Sequence, residues 1–175
     1  MNEQRQIFLH GTLGRRHFCE VLSGLMVGLL ISPEPIWLVS PWLSDFPLLD
    51  NCSGQWDAVE AGWGSREIGF NEVLACAVNN GCKLRVVTRD DSHSRRFIQQ
   101  LNNRLNSGFD FKYQYSERVH TKGLLTDNCF LKGSMNYTWS GTNRNDEHVM
   151  LTNDTQMISE ALLEFEEYYI FEEHP

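Results

Sequence analysis

The chain has 175 residues, 41% of them hydrophobic and 22% charged, proportions that exclude a disordered or fibrous protein. That length fits one globular domain over residues 1–175, burying about two-thirds of its unfolded surface, so neither disulfides nor a structural metal is needed for a core. A net charge of −8 speaks against a general nucleic-acid coat, whose affinity comes from Lys and Arg neutralising phosphates, yet leaves room for a local basic cleft.

Arg15, Arg16 and His17 precede the apolar run VLSGLMVGLLI at 21–31, the charge-then-apolar order of an export signal. Glu20 at its edge, the long polar segment ahead and the lack of a small-x-small cleavage pattern argue instead for a buried helix over 15–31. The run is also shorter than the ~20 residues that span a bilayer. Ser32-Pro33-Glu34-Pro35 stops the helix, and IWLVS at 36–40 reads as a short buried strand closed by Pro41. Residues 42–65 are irregular. The next helix is expected over 66–80 with Gly81 as its C-terminal glycine. A strand at 83–88, a helix at 92–106 and an alternating strand at 109–115 follow. Two further strands, 118–126 and 130–132, flank a turn at Asp127-Asn128. A strand at 147–152 leads to a last helix, capped by Asp154-Thr155 and running to about Tyr169. This alternation gives an α/β fold with a mixed, mostly parallel sheet and helices on both faces. The five cysteines are odd in number and form no CxxC pair, which fits a reducing cytoplasm and cysteines used as small core residues.

The chemistry is concentrated in VHTKGLLTDNCFLKGSMNYTWSG at 119–141. Alternate residues of a strand share a face, so His120 and Lys122 point the same way, with Asp127 at the following turn. Gly133 frees the backbone where Ser134 and Asn136, again two apart, present polar groups. A histidine, a cation and two hydrogen-bonding groups at one sheet edge suit an anionic substrate, phosphate first among them.

This segment resembles the phospholipase D superfamily, whose mark is histidine, one residue, lysine, four residues and aspartate, followed by Gly-Ser-x-Asn. Here those positions are His120, Lys122 and Asp127, then Gly133-Ser134-Met135-Asn136, with Glu147 as the acidic residue opening the next strand. Ser40-Pro41-Trp42 after the early strand is familial too. The resemblance implies a two-step displacement without metal or other cofactor. One histidine forms a phosphohistidine while a second protonates the leaving oxygen and then activates water; lysines and asparagines hold the non-bridging oxygens. Only one copy of the motif is present, since His10, His17, His93, His148 and His174 lack a lysine two residues on. Single-motif members of the family complete the site across a two-fold axis, so a homodimer is expected.

By the same resemblance His120 and Lys122 are catalytic, and Asn136 is a catalytic phosphate ligand. Asp127 supports the site indirectly or caps its turn. Glu147, or its neighbour Asp146, accepts the Nδ1 proton of His120. Ser134 binds substrate or shapes its turn, and Trp42 lines the cleft, whereas Trp56 and Trp63 pack on the core. Arg118, Lys132 and Arg144 are further phosphate contacts or solvated surface charge. The implied function is a cytoplasmic nuclease acting on DNA or RNA, the common activity of small single-motif members, some of which serve restriction and phage defence. The alternatives are a phospholipase or phosphatidyl transferase, without stable membrane insertion, and a weakly active subunit that binds nucleic acid or a partner protein.

Overall fold

The computed structural model describes residues 3–171. Its elements run β1 (Gln4–Phe8), α1 (Thr12–Ile31), β2 (Ile36–Val39), β3 (Pro47–Asp50), β4 (Glu67–Gly69), α2 (Phe70–Asn79), β5 (Leu84–Thr88), α3 (Ser92–Arg104), β6 (Phe111–Tyr115), β7 (Gly123–Leu125), β8 (Phe130–Gly133), α4 (Trp139–Asn143), β9 (His148–Thr152) and α5 (Thr155–Tyr168). Seven strands form one mixed sheet in the order β1-β9-β8-β7-β2-β5-β6, while β3 pairs with β4 beside it. The fold is α/β, as expected. His174 lies outside the described residues.

The balance of strand directions differs from the expected one. β2, β5 and β6 are parallel, but β2–β7, β7–β8, β8–β9 and β9–β1 are antiparallel. Connections decide this: long crossovers through α2 and α3 return the chain parallel, and the tight turn between β7 and β8 can only return it antiparallel. The helix expected from residue 66 begins at Phe70, because residues 67–69 pair with β3 as a strand. β1 and β3 were not anticipated. Gln4-Arg5-Gln6 lacks a buried periodicity, and β1 exists through its pairing with β9 at the sheet edge.

Alternate strand residues feed two cores on opposite faces of the sheet. Ile36, Leu38, Leu84, Val86, Leu124 and Leu131 pack with residues of α1, α2 and α3. Trp37, Val39, Val87, Leu125 and Phe130 pack beneath Ile158 and Phe165 of α5 and the following Tyr169. The buried α1 residues Phe18, Leu22, Met26, Leu29 and Leu30 recur at helical spacing, and each contributes roughly 1.5–3 kcal/mol by leaving water. Asp91 caps α3 by accepting from the amides of His93 and Ser94, and Asp154 caps α5 through Gln156 and Met157. Such caps stabilise by about 1 kcal/mol each. The α5 cap is the one anticipated from sequence.

Gly14 lets α1 cross the end of β1 at backbone contact: a Cβ there would stand 1.9 Å from the Phe8 carbonyl oxygen, whereas one at Gly24 would meet nothing within 4 Å. Gly14→Ala is therefore expected to lower the unfolding free energy by about 1–3 kcal/mol. Gly24→Ala is expected to raise it by about 0.5–1 kcal/mol. Urea denaturation of both variants checks the contrast.

Candidate active site

The strand directions gather one set of loops. β1, β2, β5, β6 and β8 all run the same way, and β7 and β9 run against them. One edge of the sheet therefore collects the exits of the first five strands and the entries of the other two. Trp42 follows β2, Arg89 follows β5, His120–Lys122 precede β7, Ser134 and Asn136 follow β8, and Glu147 precedes β9. The chain leaves β2 for β5 and β6 on one side and then resumes on the other with β7, and such reversals in open α/β sheets leave ligand crevices.

A buried polar knot fixes these loops. Ser40 Oγ donates to the Trp42 carbonyl and accepts from the Tyr137 amide. Ser94 Oγ accepts from the Leu43 amide and from Thr88 Oγ1, and at the surface beside them Ser44 Oγ accepts from the Trp139 amide. Buried polar groups satisfied in this way specify one loop arrangement. Gly141 packs so closely on Asn136 that a Cβ would sit 2.2 Å from its carbonyl oxygen.

His120 and Lys122 line an open cleft of about 570 Å³ together with Ser134, His148 and Lys132, over Phe130 and Met150. The strand expected from residue 118 starts only at Gly123, so His120 and Lys122 belong to an extended loop that enters β7. Pairing sets that limit: β2 offers Val39 to Gly123 and then turns away at Pro41. Lys122 Nζ donates to the His120 carbonyl at 2.7 Å. Partial burial pulls the Lys122 ammonium below its ordinary pKa; Glu147 opposes that shift and Arg89 adds to it. The cation is thus partly desolvated, which strengthens its pull on an anionic ligand.

Glu147 is held by the Ser134 hydroxyl at 2.5 Å and the Asn145 amide at 3.3 Å. No hydrogen bond joins it to His120 among the described residues; its charge acts on Lys122 instead. Asp146 faces Arg15, 3.8 Å away. Ser134 both shapes its turn, accepting from the His148 amide, and lines the cleft. Asn136 adjoins this edge with its side-chain oxygen buried and, among the described residues, unpartnered. Asp127 lies elsewhere. It sits in the turn at the far end of β7, about 16 Å from Lys122 at roughly 3.3 Å per extended residue. There Asn128 donates to Glu34, before the entry of β2. Any influence of Asp127 on the cleft must pass through the hairpin.

Trp42 is 42% exposed and carries the Arg89 guanidinium over its ring at 5.1 Å, while Trp63 is buried and Trp56 packs against the core. Arg89 Nε also donates to the Val119 carbonyl, tying β5 to the loop that bears His120. Sequence reasoning missed Arg89 and His148. Arg89 was available as the first residue after a predicted parallel strand, where ligand groups gather. His148 was set aside for lacking a lysine two residues on. Its ring lies 4.9 Å from Phe8, and among the described residues its Nε2 is buried without a partner.

A family model described as "Cardiolipin synthase, PLD-like domain" matches residues 48–169. The chain therefore belongs to the phospholipase D-like family. Solved structures agree on the fold. NucT from Helicobacter pylori superposes with a TM-score of 0.63 at 14% identity, over 95% of each chain. Nuc from Salmonella typhimurium, a phospholipase D family member, gives 0.60 at 14% identity over 95% of this chain and 93% of that one. Phosphatidylserine synthase from Haemophilus influenzae gives 0.55 at 15% identity over 95% of this chain and 38% of the longer protein. No curated protein matches the sequence. No described helix is long and apolar enough to cross a membrane.

The opposing effects on Lys122 yield a directional expectation. Glu147→Gln removes a negative charge that favours the ammonium, so the Lys122 titration moves to still lower pH. NMR of the labelled lysine side chain reads this. An unchanged or raised midpoint contradicts the geometry.

Proposed function

We propose that the chain is a metal-independent phosphodiesterase, a nuclease that cleaves nucleic acid through a phosphohistidine at a homodimer interface. The observation that carries this reading is the meeting of His120 and Lys122 in one open cleft of a phospholipase D-like chain. The fold shared with NucT and Nuc along nearly their full length supports the nuclease reading.

In the first step a ring nitrogen of His120 attacks phosphorus and the bond to the leaving oxygen breaks. His120 of the second copy gives that oxygen its proton. Water then attacks phosphorus, passes its proton to the same histidine, and the P–N bond breaks, restoring both imidazoles. Lys122 and Asn136 hold the non-bridging oxygens, where preorganised donors gain strength as charge develops. Glu147 favours the charged form of Lys122, and Ser134 fixes Glu147. Asp127 acts on the hairpin from its far end. Trp42, braced by Arg89, offers an aromatic surface beside the cleft, and base stacking on such a ring contributes about 1–3 kcal/mol. The dimer follows from there being one His-x-Lys per chain for a reaction that uses two histidines.

The second reading is cleavage or transfer of a phospholipid headgroup. It draws on the family description and on the fold shared with phosphatidylserine synthase.

The test is a panel of single-stranded DNA, duplex DNA, RNA and phosphatidylcholine vesicles, assayed in excess EDTA. Nucleic-acid cleavage should persist there and fall by about 10⁴-fold or more in His120→Ala. A strict metal requirement sinks the phosphohistidine mechanism. Headgroup release without nucleic-acid cleavage selects the lipid reading. Light scattering under assay conditions should give a dimer, and a fully active monomer rules out the shared site.

A further inference from the structure

The cleft is larger than the reaction needs. A volume of about 570 Å³ lies in the range that accommodates a drug-sized ligand, far beyond one phosphate group. The surplus runs inward from His120 and Lys122 along β8 and β9, and it has its own chemistry. Lys132 pairs with Gly123 on one side and Met150 on the other. The glycine contributes no side chain, and the Phe130 ring closes into its place, where a Cβ would stand 2.7 Å from that ring. Lys132 Nζ lies over the Phe130 ring at 5.4 Å, and no carboxylate lies within ion-pair distance of it among the described residues. His148, two residues before Met150 on β9, lines the same cleft; among the described residues its Nε2 is buried without a partner, with its ring braced against Phe8. An unpaired buried polar atom marks the place of a missing partner.

These groups stand one strand step from the reaction. Lys132 lies on β8 two residues before Ser134, about 6.6–7 Å in extended chain, so Lys132 does not duplicate the role of Lys122. The geometry points to a second anion subsite, formed by Lys132 and His148, that holds a non-reacting phosphate next to the one being cleaved. The substrate class it selects is a chain of repeated phosphodiesters, with the Phe130–Met150 floor taking the apolar faces of the intervening sugar and base. A phospholipid with a single phosphodiester leaves this subsite empty. The inference rests on the phosphodiesterase reading above and narrows it.

The experiment compares kcat/KM on two substrates in EDTA: bis(p-nitrophenyl) phosphate, which has one phosphate, and a DNA oligonucleotide, which has many. The variants are Lys132→Gln, Lys132→Arg and His148→Gln, each checked for an unaltered melting transition. Lys132→Gln should lower the ratio of oligonucleotide to single-phosphate activity roughly tenfold, the loss expected for a charge-assisted hydrogen bond. It should also reduce the slope of log activity against log salt on the oligonucleotide by about one. Lys132→Arg should recover most of the ratio, and His148→Gln should lower it in the same direction. An unchanged ratio overturns the subsite, whether both activities fall together or neither falls. If the unaltered protein hydrolyses neither substrate, the phosphodiesterase reading itself fails, a different result from an active enzyme with an unchanged ratio.

Discussion

β7 is only three residues long, yet it is hydrogen-bonded to β2 on one side and β8 on the other, and the site depends on that double pairing. Gly123 faces Val39 and Lys132 across these two ladders. A Cβ at this position would stand 2.7 Å from the Phe130 ring, so the glycine lets the ring close over the hairpin. Because β7 runs against β2, its entry lies at the same sheet edge as the β2 exit. His120 and Lys122 are thereby delivered beside the loops that carry Trp42, Ser134 and Glu147. Parallel pairing at β7 would send the motif to the opposite edge, where Asp127 lies. A mixed sheet is thus a requirement of the site.

The same edge resolves a contrast in charge. The chain carries a net −8 from 23 acidic residues, and α5 presents four of them to solvent, Glu160, Glu164, Glu166 and Glu167. At physiological salt, charges more than about 8 Å apart across solvent are largely screened. The cleft therefore answers mainly to its own neighbours, and these include Lys122, Lys132 and Arg89. Glu147 is the acid that belongs with them, and its tie to Ser134 keeps it beside Lys122. An acidic chain thus carries a locally basic cleft.

Much of the site was legible in the sequence because the motif is local. His120 and Lys122 stand two residues apart in extended chain, and Gly133, Ser134 and Asn136 follow one hairpin turn later. The partners that tune this motif come from distant segments. Arg89 reaches the loop before β7 from the other side of β2, and His148 meets Phe8 through an edge strand that sequence periodicity did not reveal. Glu147 looked suited to orienting His120, but Ser134 and Asn145 hold it, since both flank the entry of β9. Asp127 belongs to the sequence motif and yet sits one strand length away from the cleft.

The amino-acid sequence by itself determined the main helices and the central strands, through apolar spacing in α1, β-branched and apolar runs in β2 and β5, and the aspartate that caps α5. It also determined the family, through residue types at short fixed spacings. The tertiary structure decided which strand edges met, and therefore that Asp127 and Lys122 lie at opposite ends of β7 while Arg89, His148 and Lys132 come close to the motif. The physical reason is that propensity and spacing act over a few residues, whereas strand direction is set by how each connection returns the chain to the sheet. Which side chains share a cleft follows from that return.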